Sequence, residues 1–290
     1  MTKHSEIRVR SAGRSDTGRV RDHNEDRLLV TPEVGLFLVA DGMGGHATGQ
    51  VASAMVMTSM HNFFRATRGG DWVPPDVPED AGLDASSLRL VHAVRKANQD
   101  IVEASSAHPQ HKGMGSTVVA LQVEGAVATL AHVGDSRCYR IRQGVITQLT
   151  SDHSVVGEAQ RNNPGLSAED LALLPRNMIT RALGLRANVK VDAQRLELED
   201  GDLLLLCSDG LHGMLDDGAI AEAAVRYDDL DRASELLVSL ANAAGGKDNV
   251  SVVLVRARSE TVEVEVCCAA CGVRVIEGNA FCIECGQPIA

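Results

Sequence analysis

Residues 36–49 read "LFLVADGMGGHATG". An unbroken apolar run, Leu36 to Ala40, stops at Asp41, and glycines follow at Gly42, Gly44 and Gly45. The pattern recurs: "TLAHVGDSR" carries a run to Asp135, and "LLLLCSDGL" carries one to Asp209. In "KDNVSVVLV" the order reverses, and Asp248 precedes the run. A carboxylate at the edge of a core is costly unless it is paired or bound to a metal. One such aspartate is most simply a turn or cap residue. Four predict strands that converge on a single acidic site. Mg²⁺ and Mn²⁺ take oxygen ligands in octahedral geometry. The neighbouring Gly42, Gly134 and Gly210 let the backbone turn sharply and bring a carbonyl close to an ion. Two ions about 3.5–4 Å apart can activate a water at neutral pH and clamp a phosphoryl group. "VRDHNED" adds Arg21, a bidentate phosphate holder beside such a site. It also adds Glu25, which could act through an ion-bound water.

Composition sets the frame. The chain has 290 residues, 44% hydrophobic and 23% charged, as in an ordinary globular protein. No apolar run approaches the ~20 residues that span a bilayer, and the N-terminus has no secretory h-region. A net charge of −11 and only 2% aromatic residues argue against nucleic-acid partners. An anionic substrate would therefore need positive charge from metal ions. Periodicity predicts a helix from about residue 46 to 64 and another through about Ser105, capped by Asp84 or Ser86. A β-meander is expected over 116–149, an inserted flap with a short helix over 152–178, and strands at "VKVDAQRLEL" and "DLLLLCSDG". Helices near 216–226 and 230–243 precede the last core strand, "NVSVVLVRAR". Blocks of strands followed by helices predict an α+β fold with antiparallel sheets and helices outside.

Three shorter motifs lose their weight in context. The Gly42–Ala47 stretch fits a dinucleotide fingerprint, but Asp41 would stand against the pyrophosphate and no βαβ pattern surrounds it. "GGKD" lacks the Ser or Thr that a P-loop needs. Cys268 to Arg274 has cysteine-phosphatase spacing, but too little chain follows for the supporting helix.

The residues resemble the metal-dependent serine/threonine phosphatases of the PP2C type, in their bacterial form. "RDHNED", "LFLVADGMGGHATG", "GMGST", "HVGDSRCYR", "LTSDHS", "ITRALG", "LLLCSDGL" and "GGKDNVSVVLV" carry the resemblance, in the family's order. It implies a four-layer α-β-β-α sandwich that hydrolyses phosphoserine and phosphothreonine without a phosphoenzyme, by direct attack of a water bridging two Mn²⁺ or Mg²⁺ ions. Asp41 would bridge the ions and Gly42 would give a carbonyl. Asp209 and Asp248 would bind one ion, and Glu25 would reach the other. Asp135 would hold a weaker third ion, and Arg21 the phosphate. Partners would be phosphorylated proteins, among them Ser/Thr kinases and their substrates. Met43 follows the Asp-Gly pair where some relatives carry a histidine; here the histidine comes later, as His46, and the general acid is left unassigned. A catalytically dead phosphoprotein-binding module is the alternative, although every metal position named is filled.

The tail departs from this pattern. Cys268, Cys271, Cys282 and Cys285 form two C-x-x-C knuckles, which resemble a short zinc ribbon binding one structural Zn²⁺. So short a segment cannot bury a core and would need metal to fold. The expected division is a phosphatase domain over 1–258, a connector over 259–266, within which the alternation of "TVEVEV" (261–266) reads as a strand or connector, and the ribbon over 267–290. A nucleic-acid or protein adaptor built on the ribbon is the other alternative; Arg274 is its only basic residue. Cys138 and Cys207 read as buried thiols, which with the missing signal predicts a reducing, cytoplasmic setting.

Overall fold

The computed structural model describes residues 2–44, 48–68, 72–75, 77–175, 178–264, 270–271, 273 and 281–288. His46, Cys267 and Cys268 lie outside them.

One sheet holds β1 (Thr2–Asp16), β11 (Val250–Val264), β10 (Leu203–Cys207), β7 (Arg137–Arg142) and β8 (Val145–Gln148), in that order. The second runs β2 (Asp26–Thr31), β3 (Leu36–Met43), β5 (Val118–Glu124), β6 (Val127–Val133), β9 (Asp192–Glu197), with the short β4 (Gly115–Ser116) on β3. All pairings are antiparallel.

The apolar runs are explained by burial on both faces. Phe37 and Val39 meet Leu204, Leu206, Val253 and Val255 between the sheets. Leu36, Leu38 and Ala40 face outward, against α1 (Thr48–Ala66) and α2 (Ala85–Ala107). Leu203, Leu205 and Cys207 likewise face α6 (Asp217–Val225) and α7 (Leu230–Ala243). A strand covered twice has no polar face, so alternation disappears. The result is the four-layer α-β-β-α sandwich. Cys138 and Cys207 are buried free thiols on opposite faces of one sheet.

The helices start where side chains cap them. Asp84 accepts from the Ser87 amide at the head of α2, and Ser167 and Asp170 form a capping box on α4 (Ala168–Ala172). With α3 (Val155–Asn162), α4 makes up the flap.

Two expectations change. Residues 116–149 are not one meander: β5 and β6 belong to one sheet, β7 and β8 to the other. The chain changes sheets at Gly134, whose φ of +109° is open to glycine and strained for other residues. In addition, β11 does not end at 258. Residues 259–264 continue it, paired with Thr2–Ile7 of β1, so over these residues the strand reading of the "TVEVEV" alternation is the one observed.

Candidate active site

The carboxylates gather where β3, β10 and β11 meet the β6–β7 crossing. β2 and β3 pair so that Asp26 stands opposite Asp41. Thr117 Oγ1 accepts from the Asp41 amide at 3.0 Å, and the Asp41 carbonyl accepts from Ser116 Oγ at 3.0 Å. Serine at 116 therefore supplies the hydroxyl used there. Gly42 passes so near α1 that a Cβ would lie 2.0 Å from the Gly49 carbonyl oxygen. Asp209 opens the single-turn α5 (Asp209–His212) after β10. Asp248 leads into β11, and its Oδ2 accepts from Arg21 Nη2 at 2.6 Å.

The charges are crowded. Burial first, then Asp26 and the other acids, pushes the Asp41 carboxyl well above the carboxylate range. Burial together with Asp135 and Asp248 raises Asp209 to about 7. Asp135, 8% exposed, is raised to about 6 by burial and by Asp152. Asp26 Oδ1 and Asp209 Oδ1 are buried and have no hydrogen-bond partner among the described residues. Oxygens without donors, on acids that repel one another, suit hard cations. The acids ring a space rather than a point, since no three of them bring ligand atoms within 4.8 Å of one another.

Sequence reasoning left several supporting residues without a role. Asp26, 1% exposed, is raised to about 7 by burial, and its Oδ2 accepts from Ser208 Oγ at 2.7 Å. Only the strand register puts it across from Asp41. Buried Asn249 holds the loop between β1 and β2 at three points: its Oδ1 accepts from the Glu25 amide, and its Nδ2 donates to the carbonyls of Thr17 and His23. His212, held neutral near pKa 4 by burial and by Arg137, donates from Nε2 to the Asp135 carbonyl at 3.1 Å.

A cleft of about 610 Å³ opens over these groups. Asp135, Asp209 and Asp248 line its floor, and Ser154, Val156, Gln160 and Leu171 of the flap line the opposite wall. Arg137 is tied to Asp152 at 2.8 Å, while Lys247 has no ion pair among the described residues. A larger hollow, about 740 Å³, lies beside α2, where Arg95 and His92 face buried Asp80.

This geometry has known counterparts. The sequence profile described as Protein phosphatase 2C matches residues 18–249. The chain belongs to the protein phosphatase 2C family. It is 36% identical over 248 residues to the serine/threonine phosphatase stp of Listeria monocytogenes serotype 4b (strain F2365), covering 83% of this chain and 93% of that protein. It is also 36% identical over 247 residues to the serine/threonine protein phosphatase PstP of Mycobacterium tuberculosis (strain H37Rv), covering 85% of this chain and 44% of that protein. A crystal structure of the PstP catalytic domain in complex with two manganese ions superposes with a TM-score of 0.73 at 33% identity, covering 87% of this chain and 99% of that one. Another, of the M. tuberculosis phosphatase PstP/Ppp, gives 0.73 at 35%, covering 86% and 98%.

A second cluster lies in the tail. The thiols of Cys271, Cys282 and Cys285 come within 4.8 Å of one another. Cys271 Sγ and Cys282 Sγ are 3.6 Å apart. The Gly286 amide closes a tight turn onto the Cys282 carbonyl at 2.8 Å. The expected fourth ligand, Cys268, is outside the described residues.

Proposed function

We propose that this PP2C-family protein removes phosphate from phosphoserine and phosphothreonine in proteins with divalent metal ions, Mn²⁺ or Mg²⁺, in the cleft. The observation that carries the reading is the pair of donorless buried oxygens among mutually repelling acids. Such a bowl repels a phosphate dianion until cations fill it. Asp41, the Gly42 carbonyl, Asp209, Asp248 and Glu25 would hold two ions, and Asp135 a weaker third. Bound there, the ions supply positive charge and an acidified water. The remaining work belongs to the chain. Asp41, standing between Asp26 and Asp209, is suited to bridging. Arg21, half exposed at the mouth, can exchange Asp248 for two phosphoryl oxygens, as its planar fork allows. The flap limits water and orients the phosphoprotein. No described side chain is assigned as general acid.

Hydrolysis of p-nitrophenyl phosphate in EDTA and after adding Mn²⁺ or Mg²⁺ tests the reading. Activity that vanishes in EDTA and returns with the metal is expected. A well-folded protein with no turnover in either metal would instead be a phosphoprotein-binding module.

For the tail we propose one structural Zn²⁺ held by Cys271, Cys282, Cys285 and Cys268. Three clustered thiols support it, and four thiolates leave no open position for chemistry. A protein partner recruited by the ribbon fits that closed site. Among the described residues no helix is long and apolar enough to cross a membrane. The buried thiols favour a reducing, cytoplasmic setting.

A further inference from the structure

His153 is fully buried and takes no part in the chemistry above. It sits between the flap and the Asp135 loop and bonds to both. Its amide donates to the Gly134 carbonyl at 2.9 Å, and the Gly134 amide donates back to its Nδ1 at 3.0 Å. The residue before Asp135 is thus clasped on both sides by one histidine. The His153 carbonyl accepts from the Thr180 amide at 2.8 Å, and the Val155 amide donates to the Met178 carbonyl at 2.9 Å. These two bonds close the base of the flap, where its entering and leaving segments meet in an isolated bridge between Ser154 and Ile179.

The outer ring nitrogen completes the arrangement. Because Nδ1 accepts a hydrogen bond, a neutral ring carries its proton on Nε2. That nitrogen is 3.2 Å from Asp192 Oδ2 on β9. Arg181, on the segment leaving the flap, donates to Asp192 Oδ1 at 2.7 Å and to the Lys190 carbonyl at 3.2 Å. His132 stacks on the ring at 4.7 Å between centroids. His132, His153 and Asp192 have the spacing of a metal site. Arg181 Nη1 lies 3.0 Å from His153 Nε2; with the ring proton on Nε2 the ring does not accept from Arg181, both nitrogens donate to the two Asp192 oxygens, and the guanidinium already fills the cation's place.

We propose that His153 is a positioning residue that locks the base of the flap to the Asp135 loop, with Asp192 fixing its tautomer. Flap and Asp135 then hold their places together. The proposal rests on the reading of Asp135 as ligand of the weaker ion.

The test uses the full-length protein and four variants. His153→Phe keeps a ring and removes both ring bonds. His153→Asn keeps an acceptor near Nδ1 and loses Asp192. Asp192→Asn removes the charge that orients the ring, and Asp135→Asn removes the ligand itself. The readouts are ring ¹⁵N shifts of His153 and amide exchange at Gly134 and Thr180 in metal-free protein, and Mn²⁺ binding by calorimetry. The expected wild-type ring is the Nε2–H tautomer. In His153→Phe, exchange at Gly134 and Thr180 should rise together by at least about tenfold, the scale of one buried hydrogen bond. The weak Mn²⁺ phase should shift about tenfold, while the tight phase stays in place. His153→Asn should fall between wild type and His153→Phe at Gly134. If His153→Phe does not fold, Asp192→Asn and His153→Asn carry the same comparison. An Nδ1–H tautomer overturns the proposal. So does faster exchange at only one of the two amides, or an unshifted weak phase in His153→Phe when Asp135→Asn abolishes it. If Asp135→Asn leaves the weak phase intact, the ligand reading fails, and the tautomer and the paired exchange still judge the clasp.

Discussion

At the scale of the residue, the site is a set of acids kept from ionising together. Asp209→Asn removes one charge and one ligand oxygen. Its kcat/KM should fall by at least ~10²-fold, the loss typical of removing one well-placed electrostatic stabiliser. Steady-state kinetics at saturating Mn²⁺ measure this, and near-normal turnover would remove Asp209 from the ligand set. Arg21→Ala should raise KM for phosphopeptides and leave Mn²⁺ affinity nearly unchanged, with lysine only a partial substitute because it lacks the planar fork. A variant with intact KM and weakened Mn²⁺ binding would make Arg21 a support of Asp248 only. The pH dependence follows from the raised acids. Asp26 and Asp209 stand near 7 in the fold against 3.8 for the free side chain. The folded metal-free protein therefore binds more protons than the unfolded chain between those values, and its stability falls as pH rises through them. The melting temperature in EDTA should drop from pH 5 to 8, less steeply in Asp209→Asn. Mn²⁺ should flatten the drop, because the ions replace the protons. A melting temperature that climbs over this range in EDTA would contradict the crowding argument.

At the scale of the element, strand ends deliver the acids, and a few buried polar groups set their register. β10 brings Asp209 and β11 brings Asp248, while Ser208 Oγ bonds to Asp26 and accepts from the Ser251 amide at 3.0 Å. Asn249 matters more than its place in the sequence suggests, since it satisfies one amide and two carbonyls of the loop that carries Arg21 and Glu25. Asn249→Ala leaves those groups unpaired at a cost of about 1–3 kcal/mol. Denaturant unfolding should register that loss, and kcat/KM should fall although no ligand has been removed. Unchanged kinetics would mean that the loop is held by other bonds. The four aspartates Asp41, Asp135, Asp209 and Asp248 were legible because an acid breaking an apolar run is visible in one dimension. Asp26 was not, because its partner Asp41 is reached only through strand pairing. His212 and His153 were not, because a buried histidine looks like any other until its hydrogen bonds are known.

At the scale of the molecule, the long β1–β11 ladder links the catalytic end to the tail. β11 has 15 residues, so from Val250 beside the site it reaches about 50 Å to Val264 if straight. A truncation should respect that strand: stopping at 258 would strip Thr2–Ile7 of their partners. A chain ending at Val264 should turn over p-nitrophenyl phosphate within about threefold of the full-length protein. The full-length protein should hold one tightly bound zinc per chain, lost in Cys282→Ser. On phosphoprotein substrates the truncated form should be slower, because a recruiting module raises effective concentration. Metal analysis and parallel kinetics decide both points; absence of zinc would refute the ribbon, and lost small-substrate turnover its independence from catalysis. The sequence by itself determined the layered α+β architecture, because strands buried on both faces must be apolar throughout and amphipathic helices must cover them. It also determined the acidic character of the site and the thiol pairs of the tail. Only the tertiary structure decided which sheet each strand joins, that residues 259–264 run on unbroken from β11 against β1, and which buried polar groups hold the acids in place. Those depend on pairings between residues far apart in the chain, whose hydrogen bonds leave no periodic trace in the sequence.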